Sequence, residues 1–136
     1  MNESAKVYMR KVKNLIVEGL EGNFPDIPLY EDEVPEEKTA EYDNGTPYRL
    51  MVMKMGPVGK QENATVLSQE FTVDLYLENS PDVDETTLDV IVTVKGVPNV
   101  IFDNSTKFRA RHANANRFVD VVSMNFTRRF KVECKI

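Results

Sequence analysis

The stretch Leu67-Ser-Gln-Glu-Phe-Thr-Val-Asp-Leu-Tyr-Leu-Glu78 alternates apolar and polar residues with a period of two. Successive side chains of a β-strand point to opposite faces of a sheet, so this alternation predicts a half-buried strand. It is the clearest strand signal in the chain, and the other elements are assigned around it. We call each set of alternate positions in a strand a parity. The apolar parity consists of Leu67, Phe71, Val73, Leu75 and Leu77, and the polar parity consists of Ser68, Glu70, Thr72, Asp74 and Glu78.

The strand expected before it, Tyr48 to Met55, has apolar residues on both parities. A strand of this kind is covered on both faces, so we expect a helix on one face and another chain or layer on the other. A polar stretch follows from Gly56 to Asn63. It predicts a hairpin loop at about 56–66.

Two further strands are expected to form an antiparallel pair, Asn99 to His112 and Arg117 to Ile136, joined by a turn at 113–116. In the last strand one parity is apolar and the other is polar, which predicts one face in the core and one in water. Because this segment is very long for a straight strand, we expect either a bulge or bend near Arg128 and Arg129 or a tail that reaches past the subunit boundary.

Two helices are expected. From Ser4 to Leu20 apolar residues recur every three or four positions, which is the stripe of an amphipathic helix. A second helix should begin at Ser80-Pro81 and end at Gly96, because a capping oxygen, a proline and several acids mark its start and a glycine marks its end. Its Val-rich body at 86–95 has the propensity of a strand, which is the alternative for these residues. Between the first helix and the sheet, Pro25 and Pro28 predict a turn into a short edge strand.

The chain has 136 residues and 41% hydrophobic side chains, which is the profile of one compact domain over residues 1–136. Its single cysteine, Cys134, and single histidine, His112, exclude an internal disulfide and a zinc site of the usual spacing. No apolar run is long enough to span a membrane, and basic residues interrupt the N-terminal region where a signal peptide would be apolar. We therefore expect no membrane partner.

Charge is distributed unevenly along the chain. The net charge is −5, but residues 1–96 hold 9 Lys/Arg against 19 Asp/Glu and residues 97–136 hold 8 against 3. The most acidic part lies within residues 21–46, and we expect an extended acidic loop at about 31–46. This loop is either a solvated segment or an arm that docks on a basic surface of the same chain or of a neighbouring copy. The candidate basic residues are Lys107, Arg109, Arg111, His112, Arg117, Arg128, Arg129 and Lys131.

The sequence offers little for catalysis. Cys134 lies on the core-facing parity of the last strand, which favours a buried and inert thiol. Asp82, Asp84 and Asp89 lack the glycine and terminal glutamate of a calcium loop. We therefore expect no catalytic residue, no cofactor and no metal.

A nucleic-acid-binding module is the alternative from another functional class. The basic residues between Lys107 and Lys131 could follow a phosphate backbone. Against this reading, the chain is acidic overall, and the nearby aromatic residues share the parity of the core rather than that of the arginines. These aromatic residues are Phe108, Phe118, Phe126 and Phe130.

The order of these elements resembles the tail-terminator (tail-completion) proteins of long-tailed, non-contractile bacteriophages. The resemblance rests on a leading helix that ends in Asn23-Phe24-Pro25-Asp26-Ile27-Pro28-Leu29-Tyr30, followed by Glu31-Asp32-Glu33-Val34-Pro35. Two strands, a second helix and Phe-rich closing strands complete it, so it covers most of the chain.

The resemblance implies an α+β fold, with a mixed, mostly antiparallel sheet and two helices packed on one side, and a subunit that forms a ring of about six copies. Such a ring caps the tail tube, stops its polymerisation and offers a surface to the head completion or connector protein. It would stand at the head-proximal end of the tail in the virion after assembly in the host cytoplasm. DNA would pass through its lumen without specific binding, and no cofactor is implied. A neighbouring neck or head-closure protein shares nearly all these features.

Opposite charges on separate stretches suit a head-to-tail contact, because such a contact joins two different surfaces of identical subunits. We expect that reversing Arg128 and Arg129 to glutamate weakens self-association and leaves the fold intact. The residues expected at the subunit interface are Glu31, Asp32, Glu33, Glu36, Glu37, Arg109, Arg111, Arg117, Arg128 and Arg129.

Overall fold

A computed structural model describes residues 3–63, 65–111 and 117–132, and for residues 60–63 the backbone alone. Three helices and five strands follow one another along these residues. They are α1 (Glu3–Asn23), β1 (Leu29–Glu31), α2 (Glu36–Asp43), β2 (Arg49–Asn63), β3 (Val66–Glu78), α3 (Val83–Lys95), β4 (Val100–Arg111) and β5 (Phe118–Lys131). The turn expected at 113–116, His112 and Cys134 lie outside the described residues.

The five strands form one mixed sheet in the order β1-β2-β3-β5-β4. β1 runs parallel to β2, and the other neighbouring strands are antiparallel. The α+β fold with a mixed, mostly antiparallel sheet is therefore confirmed. β1 and β4 are the two outer strands, which places the short strand expected after Pro28 at one edge.

Helices α1 and α3 cover one face of the sheet, as expected for two helices packed on one side. Ile16 of α1 and Val90 of α3 are fully buried against Phe71, Leu75 and other residues of β2, β3 and β5. Alternate residues of β3 from Phe71 to Leu77 enter this core, so the alternation in the sequence identified the buried face correctly. We call this face the helix face.

The acidic segment contains a third helix, α2, which the sequence analysis did not predict. It was expected to be an extended loop, but residues 36–43 are helical. Tyr42 of α2 packs on Leu50 and Val52 of β2, on the face opposite α1 and α3. The second apolar parity of β2 is therefore covered by a layer of the same chain.

Strand β2 continues through most of the loop expected at about 56–66. It pairs with β3 as far as Asn63, with register shifts after Met55, Val58 and Gln61. Gly56 permits the close approach of the two strands, because a Cβ atom there would lie 2.7 Å from the carbonyl oxygen of Glu70. Bulges let a strand with polar residues and glycines remain paired while it twists.

Two smaller expectations are also corrected. Helix α3 begins at Val83 after an N-cap at Asp82, because the Ser80 hydroxyl bonds to Asp82 rather than to the helix backbone. The bulge expected near Arg128 lies instead in β4 between Phe102 and Asn104, and β5 pairs with β3 without interruption.

None of the helices within the described ranges has the length and apolar character needed to cross a membrane.

Candidate functional site

The acidic residues expected at an interface gather at the β1 edge of the sheet. Glu31 is the last residue of β1, and Asp32 and Glu33 follow it directly. Glu36 and Glu37 occupy the first turn of α2, where the positive end of the helix dipole favours carboxylates. All five are exposed. We call Glu31, Asp32, Glu33, Glu36 and Glu37 the acidic edge.

Ion pairing neutralises only a small part of the acidic edge. Lys13 of α1 lies 2.8 Å from a carboxylate oxygen of Glu31, and both side chains are more than two-fifths exposed. Among the described residues, no cation pairs with the other four carboxylates. This edge therefore keeps a strongly negative potential.

Three basic residues lie on the opposite outer strand, β4. Lys107, Arg109 and Arg111 are separated by two positions, so they share one face of the strand. Lys107 is directly opposite Val122, a residue of the core under α1 and α3, and the row therefore lies on the helix face. We call Lys107, Arg109 and Arg111 the basic edge.

The basic edge is partly paired within the subunit. Lys107 lies 2.9 Å from Asp84 at the start of α3, and Arg109 lies 3.2 Å from Asp120 of β5. Lys107 and Arg109 are about half and two-thirds exposed, respectively. The Lys107–Asp84 pair is exposed on both sides, and such pairs contribute roughly 0–1 kcal/mol, so a stronger external partner can replace it. Asp120 is only 15% exposed, so its pair with Arg109 is more firmly held.

Arg117 was expected at the interface, but it binds residues of its own chain. Its guanidinium donates hydrogen bonds to Glu78 at 2.7 and 3.1 Å and to the carbonyl oxygens of Tyr42 at 2.8 Å and Thr46 at 2.9 Å. It also lies over the ring of Tyr48. The hydrogen bond to the Glu78 carboxylate raises the pKa of Arg117. Arg117 therefore supplies positive charge at the C-terminal end of α2, which has no basic residue in its last turn.

Arg128 is buried, with 5% of its surface exposed. It points under α1, where its guanidinium donates to Gln69 Oε1 at 2.9 and 2.6 Å and to the Met9 carbonyl oxygen at 2.8 Å. Burial lowers its pKa. A glutamate here would direct a carboxylate at oxygen acceptors, so we now expect that reversing Arg128 together with Arg129 destabilises the fold instead of leaving it intact. Arg129 is exposed on the other face of β5.

The basic residues of the C-terminal part therefore do not form one continuous surface. Arg128 is inside the subunit, Arg117 holds α2, and Arg129 lies on the opposite face of the sheet from the basic edge. His112 lies outside the described residues. A phosphate-binding track needs several cations side by side, and this arrangement supplies a row of three.

Exposed apolar residues lie near the basic edge, which the sequence patterns did not predict. Phe108 and Phe118 were assigned to the core parity, but they are 56% and 49% exposed, whereas Phe126 and Phe130 are buried. Phe108 is opposite Val121 and therefore lies on the face without α1 and α3. The sequence held a signal for this exposure. Phe108 lies between Lys107 and Arg109 in the strand, so its side chain is on the opposite face from these charged residues. An apolar hollow of about 360 Å³ lies nearby, lined chiefly by Tyr48, Tyr76, Ala110, Val119 and Val121.

No protein-family model matches the sequence, and no curated protein matches it significantly. Within the part of the chain that the structure describes, no three His, Cys, Asp or Glu side chains come together as a metal site. The surfaces that remain as functional candidates are the acidic edge and the basic edge. They lie on opposite outer strands of one sheet.

Proposed function

We propose that this protein is a phage tail-terminator subunit that assembles with copies of itself into a ring. The ring, of six copies in the family that the sequence resembles, caps the tail tube and presents a surface to the head completion or connector protein. Its place is the head-proximal end of the tail in the virion, after assembly in the host cytoplasm. Support comes from the resemblance over most of the chain and from the α+β fold with two helices on one side of the sheet.

The observation that carries the proposal is the separation of charge between the two outer strands. A head-to-tail contact joins two different surfaces, and each subunit here offers an acidic one and a basic one. The same contact can therefore be repeated from copy to copy, and it produces a closed ring when the rotation between copies closes. Complementary charge sets the register of such a contact and speeds encounter.

The proposed ring encloses a lumen through which DNA passes without specific binding. The chain has a net charge of −5, so a ring of several copies repels a polyanion on average. Purified rings should release duplex DNA at low salt. Tight retention that weakens steeply with salt would instead identify a phosphate-binding surface and favour the nucleic-acid-binding alternative.

The proposal is tested by mixing the purified protein with a phage tail-tube protein. We expect a ring-sized mass in solution or on the tube, and tubes that stop growing when the protein is added. Tail-tube protein that assembles in buffer without this protein is the control for tube length. A protein that stays monomeric under both conditions and leaves tube growth unchanged contradicts the proposal. Binding to the head connector without binding to the tube would indicate a neck or head-closure protein.

A further inference from the structure

The outer side of β4 is a long strand edge without a partner among the described residues. β4 pairs with β5 on one side only, and its register is unbroken from Asn104 to Arg111 after the bulge at its start. Most of its residues are exposed. A strand edge of this length presents a row of backbone N–H and C=O groups that can pair with another strand.

The side chains of β4 distinguish this edge from one that is merely solvated. Charged residues on an edge strand normally prevent pairing, and the basic edge could serve that purpose on the helix face. On the other face, however, β4 exposes Phe108 and Ile101, which are 56% and 41% accessible. An edge with large apolar side chains on one face and charges on the other is suited to a partner that covers both.

A second β4 is a poor partner for this edge. In a two-fold pair of β4 strands, the three cations of each basic edge would lie across from those of the other copy. Like charges on directly opposed strands are destabilising. A symmetric dimer through β4 is therefore disfavoured.

The other outer strand of the same sheet has the opposite charge on the matching face. Leu29 of β1 packs into the core under α1 and α3, and Glu31, two residues later, pairs with Lys13 of α1. Glu31 therefore lies on the helix face, as Lys107, Arg109 and Arg111 do. When a sheet continues into a copy related by a modest rotation, the helix faces align and these charges meet.

The strand directions agree with this continuation. β1 is parallel to β2, and each later step through β3 and β5 to β4 is antiparallel, so β4 runs opposite to β1. A neighbouring copy placed beside β4 in the same orientation therefore offers its β1 as an antiparallel partner. Antiparallel pairing continues the pattern of the last three strand pairs.

We propose that β4 of one copy pairs with β1 of the next copy, with Lys107, Arg109 and Arg111 against Glu31, Asp32 and Glu33. This inference rests on the proposed function and specifies its subunit contact. β1 has three residues and follows Pro28, which has no N–H, so the backbone ladder is short. Charge pairing and the burial of Phe108 supply the rest of the contact. The exposed ion pairs Lys107–Asp84 and Lys13–Glu31 exchange partners on assembly.

Two charge reversals test the contact. K107E/R109E makes the β4 edge acidic, and E31K/E33K makes the β1 edge basic. Asp32 is left unchanged because its φ of 71° is unfavourable for most residues. We expect each variant alone to lose the oligomer. An equimolar mixture should regain it, because each variant then meets only complementary edges.

R10E/K11E is the matched control, because it makes the same charge change as K107E/R109E on exposed residues of α1 that belong to neither edge. It should assemble like the wild type. F108A is a second measurement that does not depend on the charged variants folding. It removes an exposed ring, so the melting temperature of the monomer should stay unchanged while self-association weakens by about tenfold. The readouts are native mass and sedimentation.

The results separate the contact from the proposed function. If both charge-reversed variants and F108A form the ring as well as the wild type does, the β4–β1 contact is overturned but the proposed function still stands. Dimers of K107E/R109E with the wild type that persist after E31Q/E33Q, which removes the charge of both β1 residues, is added to both chains would show β4–β4 pairing and also overturn the contact. A wild type that is monomeric both alone and on tail tubes removes the proposed function as well.

Discussion

At the scale of single residues, Arg128 is unusual because it brings a positive charge into the core without a carboxylate partner among the described residues. Gln69 compensates for this. Its Oε1 accepts two bonds from the guanidinium, and its Nε2 donates to the carbonyl of Gly56. Because the Met9 carbonyl also accepts, the network joins α1, β5, β3 and the bulge of β2. Buried polar networks are costly when one member is removed.

We predict that R128M destabilises the protein by about 1–3 kcal/mol, because Gln69 Oε1 is left buried without a donor. The double variant R128M/Q69M should cost less than the sum of the two single changes, since both polar partners are then gone. R129M, one residue further on and exposed, is the control and should stay within about 0.5 kcal/mol of the wild type. Urea unfolding of the wild type, R128M, Q69M, R128M/Q69M and R129M measures these values. Additive single effects would show that Arg128 and Gln69 are not coupled.

The same residue shows what the sequence could reveal and how it was misread. Arg128 shares its parity with Phe126 and Phe130, and that parity correctly predicted the buried face of β5. Its charge suggested the surface, but its position in the alternation indicated the core, and the alternation was right. Gln69 could not be found in this way, because the match between the two side chains depends on pairing across two strands.

At the scale of elements, α2 was beyond the reach of sequence patterns. It has eight residues, four of them acidic, and Tyr42 is its only buried residue. Helices this short are marginal on their own in water, so tertiary contacts decide whether they form. Here Tyr42 stacks on Tyr48 at 5.0 Å between ring centroids, and Arg117 binds the carbonyl at the end of the helix. The strands and long helices repeat their patterns over many residues and were predictable for that reason.

We predict that ionisation of Tyr42 destabilises the protein at alkaline pH. Burial, and then a hydrogen bond with Tyr30, raise the pKa of Tyr42 to about 12 from its usual 10.0. Burial also raises the pKa of Tyr48 and Tyr76. Between these values the unfolded chain releases the tyrosine proton and the folded chain keeps it, so stability falls as pH rises from about 10 to 12. Below pH 10 these groups cause no such loss.

The measurement is a set of unfolding curves at several alkaline pH values, together with the tyrosinate absorbance. Y42F lacks the ionisable hydroxyl, so its stability should fall less steeply over the same range than that of the wild type. The remaining slope belongs to Tyr48, Tyr76 and the other tyrosines. Equal slopes in Y42F and the wild type would contradict the assignment to Tyr42.

At the scale of the whole molecule, the uneven charge of the sequence becomes a separation in space. The acidic edge lies around the end of β1 and the basic edge lies on β4. These are the two outer strands of a five-stranded sheet, four strand spacings or roughly 19 Å apart. The sequence predicted opposite charges on separate stretches. It did not predict that they would lie on the two outer strands, because strand order depends on long-range pairing that places β5 between β3 and β4.

This separation predicts how salt affects self-association. The Debye length falls from about 10 Å at roughly 0.1 M salt to about 3 Å at roughly 1 M, so attraction between the two edges is screened before the subunits touch. We expect the association rate to fall steeply over this range while the dissociation rate changes much less.

F108A should act in the opposite manner, raising the dissociation rate with little effect on association, because an apolar contact acts only after encounter. Stopped-flow light scattering of wild type and F108A measures both rates. An association rate that is constant or rises with salt would mean that apolar burial, not the two charged edges, brings the subunits together.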